Sequence, residues 1–134
     1  MANYYAYARS NYFRVKDLSA FEAFCARWDL EKIENALGQV GFLANAEDGL
    51  TTDQCYDPKT GESVQASFDE ELASHLLDGE VAVVIQIGWE KLRYLTGWAW
   101  SVNHEGKTVN CNLDAIYHLA KELNPKAEIT LCEY

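Results

Sequence analysis

The stretch Val81 to Val102, VAVVIQIGWEKLRYLTGWAWSV, constrains the fold more than any other part of the chain. Its side chains alternate in size with a period of two, the mark of strands. It reads as two strands joined at Glu90-Lys91. On the first, Val81, Val83, Ile85, Ile87 and Trp89 share one face, and the smaller Ala82, Val84, Gln86 and Gly88 share the other. On the second, Leu92, Tyr94, Thr96, Trp98, Trp100 and Val102 oppose Arg93, Leu95, Gly97, Ala99 and Ser101. The two bulky faces are expected to build one side of a core through aromatic and β-branched cross-strand pairs. Gly88 and Gly97 point to a bulge or to close approach by another backbone.

The rest of the chain supplies partners for these strands. Residues 3 to 16, NYYAYARSNYFRVK, read as a strand bent near Ser10-Asn11, with Tyr5, Tyr7 and Arg9 on one face and Tyr4, Ala6 and Ala8 on the other. Tyr12 and Phe13 are assigned to the core. Ser19 and Glu22 fit a capping box, with Asp17 as a rival cap. Phe21, Phe24, Cys25 and Trp28 then repeat at helical spacing up to the helix end near Trp28. Residues 30 to 45 fit a hairpin better than a helix, because Gly38 and Gly41 weaken a helix. A polar loop over 46–53 leads to QCYDPKTGESVQA, a hairpin with Pro and Gly at its turn. Ser67 and Glu70 form a second capping box, opening a helix to Asp78 with Leu72, Leu76 and Leu77 as its apolar face and Gly79 at its end. TVNCN reads as a third central strand. Leu113, Ile116, Tyr117, Ala120 and Leu123 mark a helix capped by Asn112 and stopped by Asn124-Pro125, and residues 127 to 133 alternate as a final strand. The expectation is one α+β domain over residues 1–134, a mainly antiparallel sheet with three helices packed on it.

At 134 residues, a single domain can bury a sizeable core without staples. No apolar run reaches membrane-spanning length, and MANYYAYARSNYF lacks the apolar centre of a signal peptide. A cytoplasmic location in a bacterial host is expected. Cys25, Cys55, Cys111 and Cys132 are scattered and contain no Cys-x-x-Cys pair, which fits free thiols. Together with His75, His104 and His118 they lack zinc-ligand spacing. The turn near Asp57 lacks the alternating oxygen ligands of a calcium loop. No metal site or cofactor is expected.

Charge carries the functional signal. The chain holds 21 acids against 11 bases, for a net charge of −10. Residues 44 to 90 hold eleven acids and a single base, Lys59, whereas the first 28 residues hold Arg9, Arg14, Lys16 and Arg27 against two acids. That sign disfavours direct binding of nucleic acid. The bland reading is solubility. The sharper one is a surface addressed to a protein partner with a basic face, built from Glu47, Asp48, Asp53, Asp57 and Glu62 on the loop and hairpin and Asp69, Glu70, Glu71, Asp78 and Glu80 on and after the second helix. Tyr4, Tyr5 and Tyr7 are candidate anchors at such an interface, with core positions as the competing assignment.

Standard catalytic constellations are missing from the sequence: no Gly-rich phosphate loop, no Gly-x-Ser-x-Gly and no His-Glu-x-x-His. Carboxylate pairs such as Asp48 with Asp53 arise by chance in so acidic a chain. Cys111 or Cys55 with His104 or His118 can be written as nucleophile and base, but a structural role outweighs it. Trp89, Trp98 and Trp100 lack the basic neighbours of a base-stacking sheet. The rival functional class is a small enzyme or ligand-binding domain with a pocket near Tyr7, Arg9, Trp98, His104 and Cys111.

The opening NYYAYARSNYFRVKD and the block DGEVAVVIQIGWEKLRYLTGWAWSVNHEGKTVNCNLDAIYHLAKEL resemble small acidic proteins carried on bacterial phages, plasmids and other mobile elements. Size, acidity and that company are in turn similar to anti-CRISPR and antirestriction proteins. The resemblance implies a non-catalytic inhibitor that occupies a nucleic-acid-binding surface of a bacterial defence complex and blocks DNA or RNA engagement. It also leaves room for a homodimer, paired through an edge strand such as 127–133.

Overall fold

Strands β6 (Val81–Glu90) and β7 (Tyr94–Asn103) pair along their whole lengths in an antiparallel hairpin turned by residues 91–93. The computed structural model describes residues 4–57 and 59–133. Around this hairpin stands an antiparallel sheet in the order β2-β3-β1-β6-β7-β8, with β1 at Tyr5–Ser10, β2 at Leu30–Glu34, β3 at Val40–Ala44 and β8 at Thr108–Asn112. A separate short hairpin joins β4 (Gln54–Tyr56) to β5 (Ser63–Gln65). Helices α1 (Leu18–Arg27) and α2 (Phe68–His75) cover one face of the sheet, and α3 (Ala115–Ala120) follows β8. The α+β architecture matches the expectation from sequence. Among the described residues, no helix is long and apolar enough to cross a membrane.

The helix-covered face is packed with rings. Phe68, the first residue of α2, stands at the centre: its ring centroid lies 4.9 Å from Trp28, 5.3 Å from Phe24, 5.6 Å from Phe42 and 5.7 Å from Trp100. Three of these contacts are edge-on, the geometry ring quadrupoles prefer. Phe13, Phe21, Leu72, Leu76, Val84 and Val102 complete a fully buried shell.

This crowding decides which way β6 faces, and it reverses the expectation. Trp98, Trp100 and Val102 of β7 do turn toward the helices, but the residues paired with them on β6 are Gln86, Val84 and Ala82. Small β6 side chains leave the volume that the rings fill. The bulky set therefore points outward, with Val81, Ile85 and Ile87 each about half exposed. Neither glycine makes a bulge. A Cβ at Gly88 would overlap the Tyr4 hydroxyl, and one at Gly97 would lie 2.5 Å from Leu113 Cδ1, so both make room for side chains rather than for backbone.

Local capping also differs from expectation. Asp17, not Ser19, caps α1: its Oδ1 accepts from the Ser19 and Ala20 N–H groups at 2.9 and 3.4 Å. Ser67 makes no cap bond to α2, because its hydroxyl donates to Asp69 instead. That helix ends at His75 rather than Asp78, and Leu77 is exposed. After β1 the chain bends, and Phe13 and Val15 make single bridges to Val40 and Leu76. The expected strand over 127–133 does not form; only Glu133 bridges, to Tyr94. The sheet edges are instead β2 and β8, so the pairing edge assigned to 127–133 is absent. Pro58 of the hairpin turn lies outside the described residues.

Candidate functional site

The ten acids singled out by sequence fall into groups. Glu47 and Asp48 follow β3, where the Glu47 carbonyl accepts from Ala6 N–H at 2.9 Å. Asp53, Asp57 and Glu62 belong to the β4–β5 hairpin, and Asp69, Glu70 and Glu71 to the first turn of α2. These two stretches are tied together: Ala66 N–H donates to the Asp53 carbonyl at 3.0 Å, and Phe68 N–H to that of Thr52 at 3.1 Å. Hairpin and first-turn carboxylates thus share one end of α2. Asp78 and Glu80 lie just before β6.

The groups at the extremes are well separated. Ala6, beside Glu47, pairs with Gly88 near the end of β6, whereas Glu80 precedes its first residue. Seven strand residues span about 23 Å. That is more than two Debye lengths at physiological salt, where each is about 8 Å. The ten acids are therefore not a single patch.

Several of them already serve the fold. Glu71 pairs with Arg27 and accepts from Trp28 Nε1 at 3.0 Å. Glu80 Oε1 accepts from Arg14 N–H at 2.6 Å, and Asp57 Oδ1 from Lys59 N–H at 2.9 Å. By contrast, Asp53, Glu62 and Glu70 are exposed and make no side-chain hydrogen bond or ion pair among the described residues. These three are the unpaired exposed carboxylates of the tied hairpin–α2 unit; Glu47, Asp48 and Asp78 are exposed and unpaired among the described residues as well, but lie outside it.

The tyrosine anchors do not join it. Tyr4 is half-buried: its ring stacks on Tyr94 with centroids 6.2 Å apart, and its hydroxyl lies 2.9 Å from Thr96 Oγ1. Tyr5 and Tyr7 flank Trp89 at 6.2 and 5.4 Å on the face of the sheet away from the helices. Glu47 and Asp48 run beside β1 itself, whereas the hairpin–α2 acids lie on the helix side of the sheet, opposite the exposed tyrosines. A single partner surface cannot dock flat against both.

The rival pocket is not assembled either. Tyr7, Arg9 and Cys111 lie on the uncovered face, while Trp98 turns toward the helices. His104 sits in the β7–β8 turn, where its Nδ1 accepts from Gly79 N–H at 3.1 Å. Neither Cys55 nor Cys111 hydrogen-bonds a histidine among the described residues. Cys25 is buried in the core, and burial pushes its thiol up to about 12, with smaller influences from Lys32, which lowers it, and Glu22, which raises it. It stays protonated and inert at neutral pH. No group of three or more metal-ligating side chains is placed together among the described residues.

Two features were not singled out from sequence. One is a cavity of about 250 Å³ between the α2 N-terminus and β7–β8, lined by Thr52, Asp69, Trp98, Trp100, Thr108 and Asn110. Trp100 Nε1 is buried there without a hydrogen-bond partner among the described residues. Its lining comes from four separated segments, so no local pattern announced it. The other is the aromatic packing of His75, which sequence reasoning named only among the histidines without zinc-ligand spacing: its ring lies 5.1 Å from Phe24 and 6.3 Å from Phe21. Burial first, then Arg27, holds its imidazole below the ordinary histidine value. No family model, curated protein or solved structure matches this chain.

Proposed function

We propose that this chain is a non-catalytic acidic binding protein of the antirestriction or anti-CRISPR kind, whose hairpin–α2 surface occupies a basic, nucleic-acid-binding groove on a bacterial defence protein. The observation that carries this reading is the trio Asp53, Glu62 and Glu70: exposed, unpaired among the described residues, and held on elements fixed to the core through Phe68. Duplex DNA presents one charge per roughly 1.7 Å of axis, and a groove built for it attracts carboxylates held at set positions. Complementary potential speeds encounter and fixes register. The chain places eleven acids against one base over residues 44–90, so little in that segment opposes the attraction.

The test is phage plating on bacterial strains that each carry one restriction or CRISPR system, with and without this protein. Plating should recover on at least one strain, and Asp53→Lys, Glu62→Lys and Glu70→Lys together should abolish recovery while the far-UV circular dichroism stays unchanged. In that strain, binding of the purified pair should weaken more than tenfold between 50 and 300 mM salt. Recovery that survives the triple reversal moves the contact elsewhere. No recovery across the panel removes the reading.

A second reading follows from the cavity beside Asp69. Its two indoles and the acid, threonine and asparagine side chains suit a small ligand carrying both an apolar ring and hydrogen-bonding groups. Quenching of tryptophan fluorescence by a small-molecule set, lost in Asp69→Ala and Asn110→Ala, would favour it.

A further inference from the structure

The uncovered face of the sheet carries a relief that fits itself. We infer that the chain forms a two-fold dimer by packing this face against the same face of a second copy. Where β1, β6, β7 and β8 lie side by side, the register aligns Arg9, Ile85, Ala99 and Cys111 in one row and Val83, Ser101 and Val109 in the next. The β6 column of Val83, Ile85 and Ile87 stands as a ridge. Beside it the β7 column is Ala99 and Ser101, which carry almost no side chain, and then Gly97, over which the Leu113 side chain folds and closes that end. Beyond that, Val109, Cys111 and Leu113 rise again. The result is a furrow along β7, visible as two grooves of about 320 and 190 Å³ in line with each other.

Ridge and furrow sit on neighbouring strands, about 4.8 Å apart. A two-fold axis running between β6 and β7, in the plane of the interface, carries the β6 ridge of one copy over the β7 furrow of the other, and the reverse. The strands then stay within about 30° of each other, the aligned arrangement of stacked sheets. The occupant is thus specified by shape. Self-complementary relief is what an isologous contact requires.

Charge and area support the same occupant. On these four strands the only charged side chain of the uncovered face is Arg9, although the chain carries −10 overall. Two copies repel through most of their surface and can approach where carboxylates are missing. Eight large apolar side chains remain between 39% and 69% exposed here: Tyr5 and Tyr7, the β6 trio Val81, Ile85 and Ile87, and Leu95, Val109 and Leu113. Covering them removes on the order of 800 Å² per copy, the amount typical of a stable specific interface. An uncovered apolar patch of that size is large for a monomer. Tyr7 with Trp89 supplies the rigid aromatic pair expected at a contact of this kind. The helix–hairpin surface assigned to the defence partner faces the other way, so dimerisation and partner binding do not compete and can fail independently.

The experiment is sedimentation equilibrium of the full chain from 1 to 200 μM. The mass should rise from the 15.2 kDa of one chain to twice that. Ala99→Arg, which fills the furrow floor with a charged side chain, should remain a monomer at 200 μM with an unchanged circular dichroism spectrum. Val109→Lys, on an exposed rim position, is the second variant and should shift the dissociation constant at least tenfold should Ala99→Arg fail to fold. Without any mutation, alkylation of Cys111 should slow several-fold at dimer-forming concentration, while that of the exposed Cys132 should not. A wild-type chain monomeric at 200 μM overturns the inference, as does a dimer that survives both substitutions. A monomer that floats with neutral phosphatidylcholine vesicles would overturn it as well, by assigning the face to a lipid surface.

Discussion

The indole Nε1 of Trp28 donates to Glu71 Oε2 at 3.0 Å while the other carboxylate oxygen of Glu71 takes the Arg27 guanidinium. One acid of the second helix thereby closes over the last turn of the first. Glu71 is part of the scaffold, and reversing it tests folding rather than binding. Glu71→Ala should lower stability by about 1–2 kcal/mol, since hydrogen bonds to a partly screened charge are lost and an indole N–H is left unpaired. Glu70→Ala, one residue earlier and exposed, should change stability by less than about 0.5 kcal/mol. Urea denaturation of the two variants side by side checks the contrast; equal midpoints would show that the α1–α2 clasp is idle.

Ser10 and Gly41 lock the bend after β1 to β3. The Ser10 hydroxyl donates to the Asn11 carbonyl at 2.7 Å and accepts from Phe42 N–H at 2.9 Å, all at a buried position. Ser10→Ala strands both groups, which should reduce stability by about 1–3 kcal/mol. At Gly41 a Cβ would overlap the Asn11 carbonyl oxygen, which is backbone and cannot swing aside. Gly41→Ala should therefore be destabilising by about 2 kcal/mol or more through overpacking. Gly38→Ala is the control: its Cβ meets open space, and only its positive φ of 76° resists the change. A loss at Gly41 no larger than at Gly38 would refute the close approach.

His75 should make stability fall on acidification. Its ring packs beside Phe21 and Phe24, with Arg27 and Lys16 opposing its protonation and Glu71 and Asp17 favouring it; burial dominates, and the folded value lies below the ordinary one. Between those two values the unfolded chain binds more protons than the folded chain. Stability therefore rises with pH across that window and is lost as pH falls from the ordinary histidine value of about 6.5 toward the folded value. His75→Gln should show a flatter dependence of the urea midpoint between pH 7 and pH 5 than the wild type. Parallel curves would mean that the imidazole is solvated.

Thiol reactivity should divide by position. Cys25 packs in the core, whereas Cys132 is exposed. With its thiol raised to about 12, Cys25 should resist iodoacetamide in the native protein and react only in denaturant. Cys132 should label within minutes. Peptide mass spectrometry reads both, and fast native labelling of Cys25 would contradict its buried placement.

Phe68 sets the depth of the whole core, and its neighbours come from α1, β3 and β7. Phe68→Ala should remove about 3–5 kcal/mol, enough to unfold a marginal domain, whereas Phe68→Leu keeps much of the volume and should lose roughly half as much. Thermal melts of the pair measure the gradation; a mild effect from the alanine would move the centre of the core elsewhere.

What the chain determined by itself was local. Alternation placed β1, β6, β7 and β8, and helical spacing of Phe21, Phe24, Cys25 and Trp28 placed α1, because period and turn chemistry are properties of adjacent residues. The face on which Tyr5, Tyr7 and Arg9 lie was legible for the same reason, and so was the excess of acids between residues 44 and 90. Which face of β6 turns inward was decided only by tertiary packing. Val81, Ile85 and Ile87 read as core until Phe13, Phe42 and Phe68 fill the space above Ala82 and Val84, and two bulky layers cannot share one volume. The same holds for the acids: a list of carboxylates carries no distances. The sheet sets Glu47 and Glu80 toward opposite ends of β6, and the helices fold Glu71 into the scaffold, leaving Asp53, Glu62 and Glu70 as the exposed trio of the hairpin–α2 unit.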